Sequence, residues 1–174
     1  TINPAFKNFD LVFDNGEDGA LMPVEKFFGS RLVKRLLPPA IKDGESVYSR
    51  TVEDFHFNID DWIEKSKKSG RPFIYLLDSM DALEIDEEET KFQALKRAVR
   101  KGKRGEVAGE YGGVPKAKMN SQRIRSIRRG LKATNSILIV LSQTRDKIGA
   151  TTFQKKKTHA GGHALKFYAH WQLW

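Results

Sequence analysis

Five apolar residues in a row, Phe73-Ile74-Tyr75-Leu76-Leu77, stand between Pro72 and Asp78. A strand with one wet face would alternate apolar and polar residues, and a helix needs a longer stretch. A short unbroken run closed by a polar residue predicts a strand buried on both faces, in the middle of a parallel sheet. Parallel neighbours need crossover helices between them, and the rest of the chain supplies the alternation. Phe9–Phe13, running into Asp14-Asn15-Gly16, predicts one neighbouring strand, and Ile137–Leu141 predicts another buried one. Val24, Phe27, Phe28, Leu32, Val33 and Leu36 follow Pro23 at helical spacing until Pro38-Pro39 stops them. Ile59–Lys68 predicts a helix with Ile59, Trp62 and Ile63 on one face and Gly70 at its end. Glu87–Arg100 reads as a helix, acidic first and basic last, as the helix dipole favours. Met119–Leu131 reads as a basic helix with Ile124, Ile127 and Leu131 inward. Val47–Arg50 and His170–Trp174 read as short strands, Ala164–Tyr168 as a short helix, and Lys101–Val114 and Arg145–Ala160 as loops. The expected class is α/β in one domain over 1–174, a mostly parallel sheet flanked by helices.

The chain holds no cysteine, which excludes a disulfide scaffold, a thiolate zinc site and a cysteine nucleophile, and points to a reducing compartment. Its apolar runs fall far short of the ~20 residues of a membrane span, and Thr1–Asp10 has no charged start or apolar stretch of a signal peptide. The expectation is a soluble cytoplasmic protein without membrane partners. Thr1 in place of an initiator Met predicts that residues upstream were removed or left out.

The net charge is +9, and it is gathered in one place. Lys91–Arg129 holds 13 Lys/Arg against Glu106 and Glu110, a balance of +11, and everything else sums to −2. A basic stretch on a nearly neutral body predicts a phosphate-binding face, because neutralised phosphates release their counterions. A solvated basic helix is the plainer alternative.

Asp78 closes the central apolar run, at the strand edge where ligands bind in open α/β sheets. In nucleotide hydrolases an aspartate there holds magnesium through water; as a helix cap it would need no ligand. Ile137–Leu141 is followed by Ser142-Gln143-Thr144-Arg145-Asp146-Lys147-Ile148-Gly149, and further on comes Gly161-Gly162-His163-Ala164-Leu165-Lys166-Phe167-Tyr168-Ala169. These segments resemble the bacterial RecA family of recombinases. There, Asn-Gln-x-Arg-x-Lys-Ile-Gly leads through a DNA-binding loop into Gly-Gly-Asn-Ala-Leu-Lys-Phe-Tyr-Ala. Leu77-Asp78-Ser79-Met80-Asp81-Ala82-Leu83 resembles the family's Val-Asp-Ser-Val-Ala-Ala-Leu. Glu106–Gly112 resembles Glu-Ile-Glu-Gly-Glu-Met-Gly, and Met119-Asn120-Ser121-Gln122 its Met-x-Ser-Gln helix. Phe9–Glu17 resembles the strand and loop that bear the family's catalytic glutamate.

The resemblance implies a RecA-type P-loop NTPase core in a bacterial or phage recombinase. Such a protein binds ATP and Mg2+, assembles on single-stranded DNA as a helical filament, and exchanges strands with duplex DNA. Asp78, beside Ser79, is implied at the magnesium and the attacking water, and Gln143 at the γ-phosphate. Glu17 is implied to activate the water, with Asp14 as its competitor because this loop carries one residue more than the family's. Lys166 and Phe167 are implied to face the neighbouring protomer. Two loops are implied to hold DNA. The first, Gly112–Lys118, closes the stretch 90–118 that also holds a basic insertion around Thr90–Arg104, and with the helix after it brings Lys116, Lys118, Arg123 and Arg125. The second, 145–160, brings Arg145, Lys147, Phe153, Lys155, Lys156 and Lys157, with Gly161 and Gly162 behind it. Phe153 suits base stacking, worth ~1–3 kcal/mol, and equally suits local packing within the loop.

Departures from the family matter as much. No Gly-x-x-x-x-Gly-Lys-Ser/Thr phosphate loop occurs in the 174 residues, and Gly102-Lys103-Arg104 lacks both the hydroxyl and the leading glycine. The family places that loop upstream of Phe9–Phe13, so the expectation is a core without its first strand and phosphate loop. The lysines that the family supplies in trans would fall beyond Trp174. Met22-Pro23-Val24-Glu25 offers no aromatic for an adenine. His159, His163 and His170 lack the third ligand and the surrounding pattern of a metalloenzyme. A degenerate core serving as a DNA-binding accessory or annealing protein is the rival reading. Residues 1–174 alone are expected not to hydrolyse ATP, and DNA-stimulated phosphate release from the purified polypeptide would refute that.

Overall fold

The computed structural model describes residues 4–17, 24–85, 114–146, 157–159 and 169–173. A 3-10 turn at Pro4–Phe6 leads into β1 (Asp10–Asn15). Arg35 secures that entry, its guanidinium donating to the carbonyls of Phe6, Lys7 and Phe9 at 3.3, 3.3 and 3.0 Å. The stretch after Pro23 was expected as one helix through Leu36; it is two short ones, α1 (Val24–Phe28) and α2 (Ser30–Val33). Gly29, at φ 81°, sits in the left-handed region and parts them. Leu36 and Leu37 leave the helix and form β2, parallel to β1. A residue ahead of proline disfavours helical backbone, and extended leucines can add to the sheet.

β3 (Ala40–Lys42) and β4 (Glu45–Val47) form a hairpin. Its turn is Asp43-Gly44, both at positive φ (53° and 84°), the pair that a tight hairpin favours. The expected strand at Val47–Arg50 therefore ends at Val47, which frees Ser49 to turn inward.

α3 (Val52–Ser69) starts earlier than the expected Ile59 because a capping box opens it. Thr51 Oγ1 accepts the Asp54 N–H at 3.1 Å, and Asp54 Oδ2 accepts the Thr51 N–H at 3.1 Å. Gly70, at φ 70°, closes the helix as expected. β5 (Phe73–Asp78) follows, then α4 (Val114–Thr134) and β6 (Ile137–Val140). α4 opens at Val114 rather than Met119, with Pro115 in its first turn, where a missing N–H costs nothing.

The sheet order is β2-β1-β5-β6, all parallel, with β5 registered residue for residue against β1 from Asp10↔Phe73 to Asn15↔Asp78. One face carries the core. Val52, Phe55, Ile59, Trp62 and Ile63 of α3 and Ile127 of α4 pack against Phe73, Tyr75 and Leu77 of β5. The opposite side of β5, Ile74 and Leu76, is only half-buried, and Ile137 and Ile139 of β6 are exposed. The expectation of strands buried on both faces is corrected to that extent: the described helices that pack on the sheet, α3 and α4, join a single core. The architecture is nevertheless the mixed α/β one, a parallel sheet with crossover helices.

β7 (Thr144–Asp146) and β8 (Lys157–His159) pair antiparallel, so the ends of the stretch expected as the loop 145–160 are joined in a two-stranded ribbon. Residues 169–173 form no strand, contrary to expectation, and Trp171 and Leu173 are exposed. The readings at Glu87–Arg100, Lys101–Gly113 and Ala164–Tyr168 lie outside the described residues. Among the described residues no helix is long and apolar enough to cross a membrane.

α3 and α4 touch at Gly130, where an added Cβ would come within 2.7 Å of Ile63 Cδ1 and 2.9 Å of its Cγ2. Gly130→Ala is therefore expected to destabilise by about 1–3 kcal/mol, although alanine favours a helix over glycine by about 1 kcal/mol. A urea midpoint equal to or above wild type would show that Ile63 yields freely.

Candidate functional site

The carboxyl edge of β1 and β5 gathers three oxygen-bearing side chains. Asn15 pairs with Asp78 at the end of the ladder. Gly16 then lets the chain fold tightly over β5: a Cβ there would meet Leu83 Cδ2 at 2.9 Å, with the Asp78 and Ser49 carbonyl oxygens at 3.6 Å. The Glu17 N–H donates to the Asp78 carbonyl at 3.3 Å, and the Ser79 hydroxyl donates to Glu17 Oε1 at 2.7 Å. Burial first, and the Glu17 carboxylate second, hold the Asp78 carboxyl above the usual aspartate range. The Asp78 carboxyl and the Glu17 carboxylate, the latter bound by the Ser79 hydroxyl, present a set of hard oxygens. That suits a small divalent cation which takes one or two carboxylates and keeps waters. No group of three metal-ligating side chains occurs among the described residues.

Asp14 faces elsewhere. It is fully buried and accepts the Ser49 N–H (2.9 Å), the Ser49 hydroxyl (2.6 Å) and the Tyr75 hydroxyl (2.6 Å). Asn58 of α3 donates in turn to Ser49 Oγ at 3.0 Å. Burial, then the charge of Asp14 and its hydrogen bond, push the Tyr75 phenol far up. Of the two acids in this loop, the geometry places Glu17 beside Asp78 and gives Asp14 to the interior.

Gln143 follows β6, and its backbone N–H donates to Asp81 Oδ2 at 2.7 Å. The Met80 N–H donates to the Leu141 carbonyl at 2.9 Å, and the Leu141 N–H to that of Leu77 at 3.0 Å. The turn after Asp78 is thus fastened to the exit of β6. Asp81 was missed from sequence, yet a signal existed: it stands where the motif quoted above has alanine. Ser49, Asn58 and Tyr75 were missed too, and only the Tyr75 hydroxyl within an apolar run hinted at a buried polar partner.

The basic residues separate. Arg123 pairs with Asp60 of α3, while Arg125 is exposed. Lys116 and Lys118 lie in α4 rather than in a loop, and Arg145 and Lys157 lie in β7 and β8. Lys147, Phe153, Lys155, Lys156, Gly161, Gly162, Lys166 and Phe167 are outside the described residues.

A parallel sheet with crossover helices is consistent with a RecA-type α/β core. Residues 94–173 match the family model for the RecA N-terminal domain. The chain is 36% identical over 110 residues to Protein RecA of Leifsonia xyli, and equally so to that of Clavibacter michiganensis, in each case covering 52% of this chain and 30% of the relative. It is 40% identical over 65 residues to Protein RecA of Haemophilus ducreyi, covering 37% of this chain and 17% of the relative. Over its second half the chain is similar to the RecA family. The matches span at most about a third of each of these relatives, and the family model begins beyond Glu17 and Asp78.

An acid whose pKa is raised in the folded state stabilises the fold below its unfolded pKa. That contribution is lost as pH climbs through the folded value. Asp78→Asn is therefore expected to raise the thermal midpoint at pH 7, with the gain fading below about pH 4, where both side chains are neutral. A difference that does not change with pH would refute the electrostatic account.

Proposed function

We propose that the chain is part of a RecA-like recombinase that binds single-stranded DNA in an ATP-dependent way, assembles into filaments and exchanges homologous strands, in the cytoplasm of a bacterial or phage-infected cell. The observation that carries this reading is the site at the end of β5, Asp78 with Glu17 and Ser79, fastened through Asp81 to the backbone of Gln143. In this reading Asp78 holds Mg2+ through water, and Ser79 orients Glu17. When bound there, the ion would supply positive charge against the nucleotide phosphates. Glu17 takes a proton from the attacking water, which its place beside Asp78 supports. The Gln143 amide reads the γ-phosphate, and Lys166 and Phe167 meet the nucleotide of the next protomer.

The path from nucleotide to DNA follows from where Gln143 sits. It stands between β6, fixed in the sheet, and β7, which begins the stretch assigned to DNA with Arg145, Lys147, Phe153, Lys155, Lys156 and Lys157. A shift of the amide toward a γ-phosphate pulls on the base of that ribbon. An order–disorder change of such a segment is an established kind of switch.

The test uses the full-length protein and single-stranded DNA affinity measured with ADP and with a non-hydrolysable ATP analogue. Wild type should change affinity between the two by about 5–150-fold, the usual span of allosteric coupling. Gln143→Ala should bind the analogue normally and change DNA affinity less than about twofold, well under that coupling span. Asp78→Ala should lose hydrolysis. If Gln143→Ala keeps the full response, its switch role is wrong. If wild type binds DNA with no nucleotide response, the accessory or annealing reading replaces this one.

A further inference from the structure

α4 carries seven Lys/Arg and no acid. At 100° per residue its side chains sort into three flanks. Ile124 and Ile127 are buried, and Leu131 packs against the core. Arg123 and Gly130 turn to α3, where Arg123 pairs with Asp60 and Gly130 abuts Ile63. The remaining flank presents Arg125, Arg128, Arg129 and Lys132, all exposed.

That arrangement works against the helix. Arg125–Arg128, Arg125–Arg129, Arg128–Lys132 and Arg129–Lys132 are three or four residues apart, so each is a neighbouring pair of like charges. The helix dipole offsets this only in the last turn, at Lys132. No described carboxylate pairs with Arg128, Arg129 or Lys132. Arg123 shows the alternative on the same helix, an arginine satisfied by an acid of its own chain.

From these observations we infer that Arg128, Arg129 and Lys132 form a contact surface for a nucleic-acid phosphate backbone, outside the two loops and extending along α4 away from Asp78. β6 follows α4 and begins beside Ile74, so the end of α4 lies at the edge of the sheet opposite the carboxylate site. Arg125 to Lys132 spans about 10 Å of helix. A nucleic-acid strand offers one phosphate per about 3.4 Å, so each cation can meet its own. The inference rests on the DNA-binding reading above and adds residues that the family resemblance does not assign.

The test is the salt dependence of binding, by fluorescence anisotropy of a labelled single-stranded oligonucleotide on the full-length protein. Arg128→Gln/Arg129→Gln/Lys132→Gln should reduce the magnitude of the log–log salt slope by about 2, at about 0.7 per lost phosphate contact. Its thermal midpoint should not fall, since like-charge repulsion is relieved. A control, Lys34→Gln/Lys42→Gln/Lys68→Gln, removes the same charge from exposed sites elsewhere and should leave the slope unchanged. An unchanged slope in the first variant overturns this surface while DNA binding stands, and so does an equal drop in both variants, which would be a net-charge effect. Wild type that binds no oligonucleotide even at low salt overturns the DNA-binding reading together with this surface.

Discussion

A carboxylate with no access to water has to be met by donors from its own chain, and Asp14 obliges three parts of this fold to agree. Its oxygens take hydrogen bonds from Ser49, just ahead of α3, and from Tyr75 in β5, while its backbone lies in β1. Leaving one such group without its partner costs about 1–3 kcal/mol, and more where a buried charge is exposed to an apolar surround. The β1–β5 register, the turn after β4 and the start of α3 are therefore selected together. One residue beyond Asp14, Asn15 lies beside Asp78, and the tight approach at Gly16 then delivers Glu17 to Ser79. The placement of the two site carboxylates is inherited from the buried one beneath them.

The sheet divides labour between its edges and faces. The face toward α3 and α4 is aromatic and dry, with Phe55 against Tyr75 and Trp62 against Phe73 at ring-centre distances of 5.9 and 6.0 Å. Trp62 also donates its indole N–H to the Pro39 carbonyl at 2.8 Å, and Lys65 lies 3.9 Å from its ring centre. This ties the small hairpin region to the helix layer. The candidate site carboxylates lie at the carboxyl edge, where strands stop and polar side chains no longer have to fit a core. There the Asp81 link to Gln143 joins two strand ends that the ladder itself has already released.

Much of this was legible because it is local. The Phe73–Leu77 run forms the strand it predicts, Gly70 stops α3, and Ile124, Ile127 and Leu131 turn inward, each governed by neighbours within one or two turns. The similarity to the RecA family was legible in Gly161–Ala169 and in the stretch around Gln143, where residue identities alone carry it. What escaped involved choices between distant partners. Leu36 looks helical from its spacing and becomes a strand because β1 offers it an edge. Ser49 looks like the end of a strand and becomes a donor to a residue far away in sequence.

From the sequence alone came the alternation of strand and helix, the concentration of basic charge and the pair of candidate acids, because periodicity, composition and motif are properties of the chain itself. Tertiary structure alone decided which acid stands beside Asp78, that Arg123 is taken by Asp60, and which flank of α4 stays exposed. Those outcomes depend on which groups meet once the sheet closes. The cost of burying a carboxylate or of crowding like charges exists only in that three-dimensional arrangement.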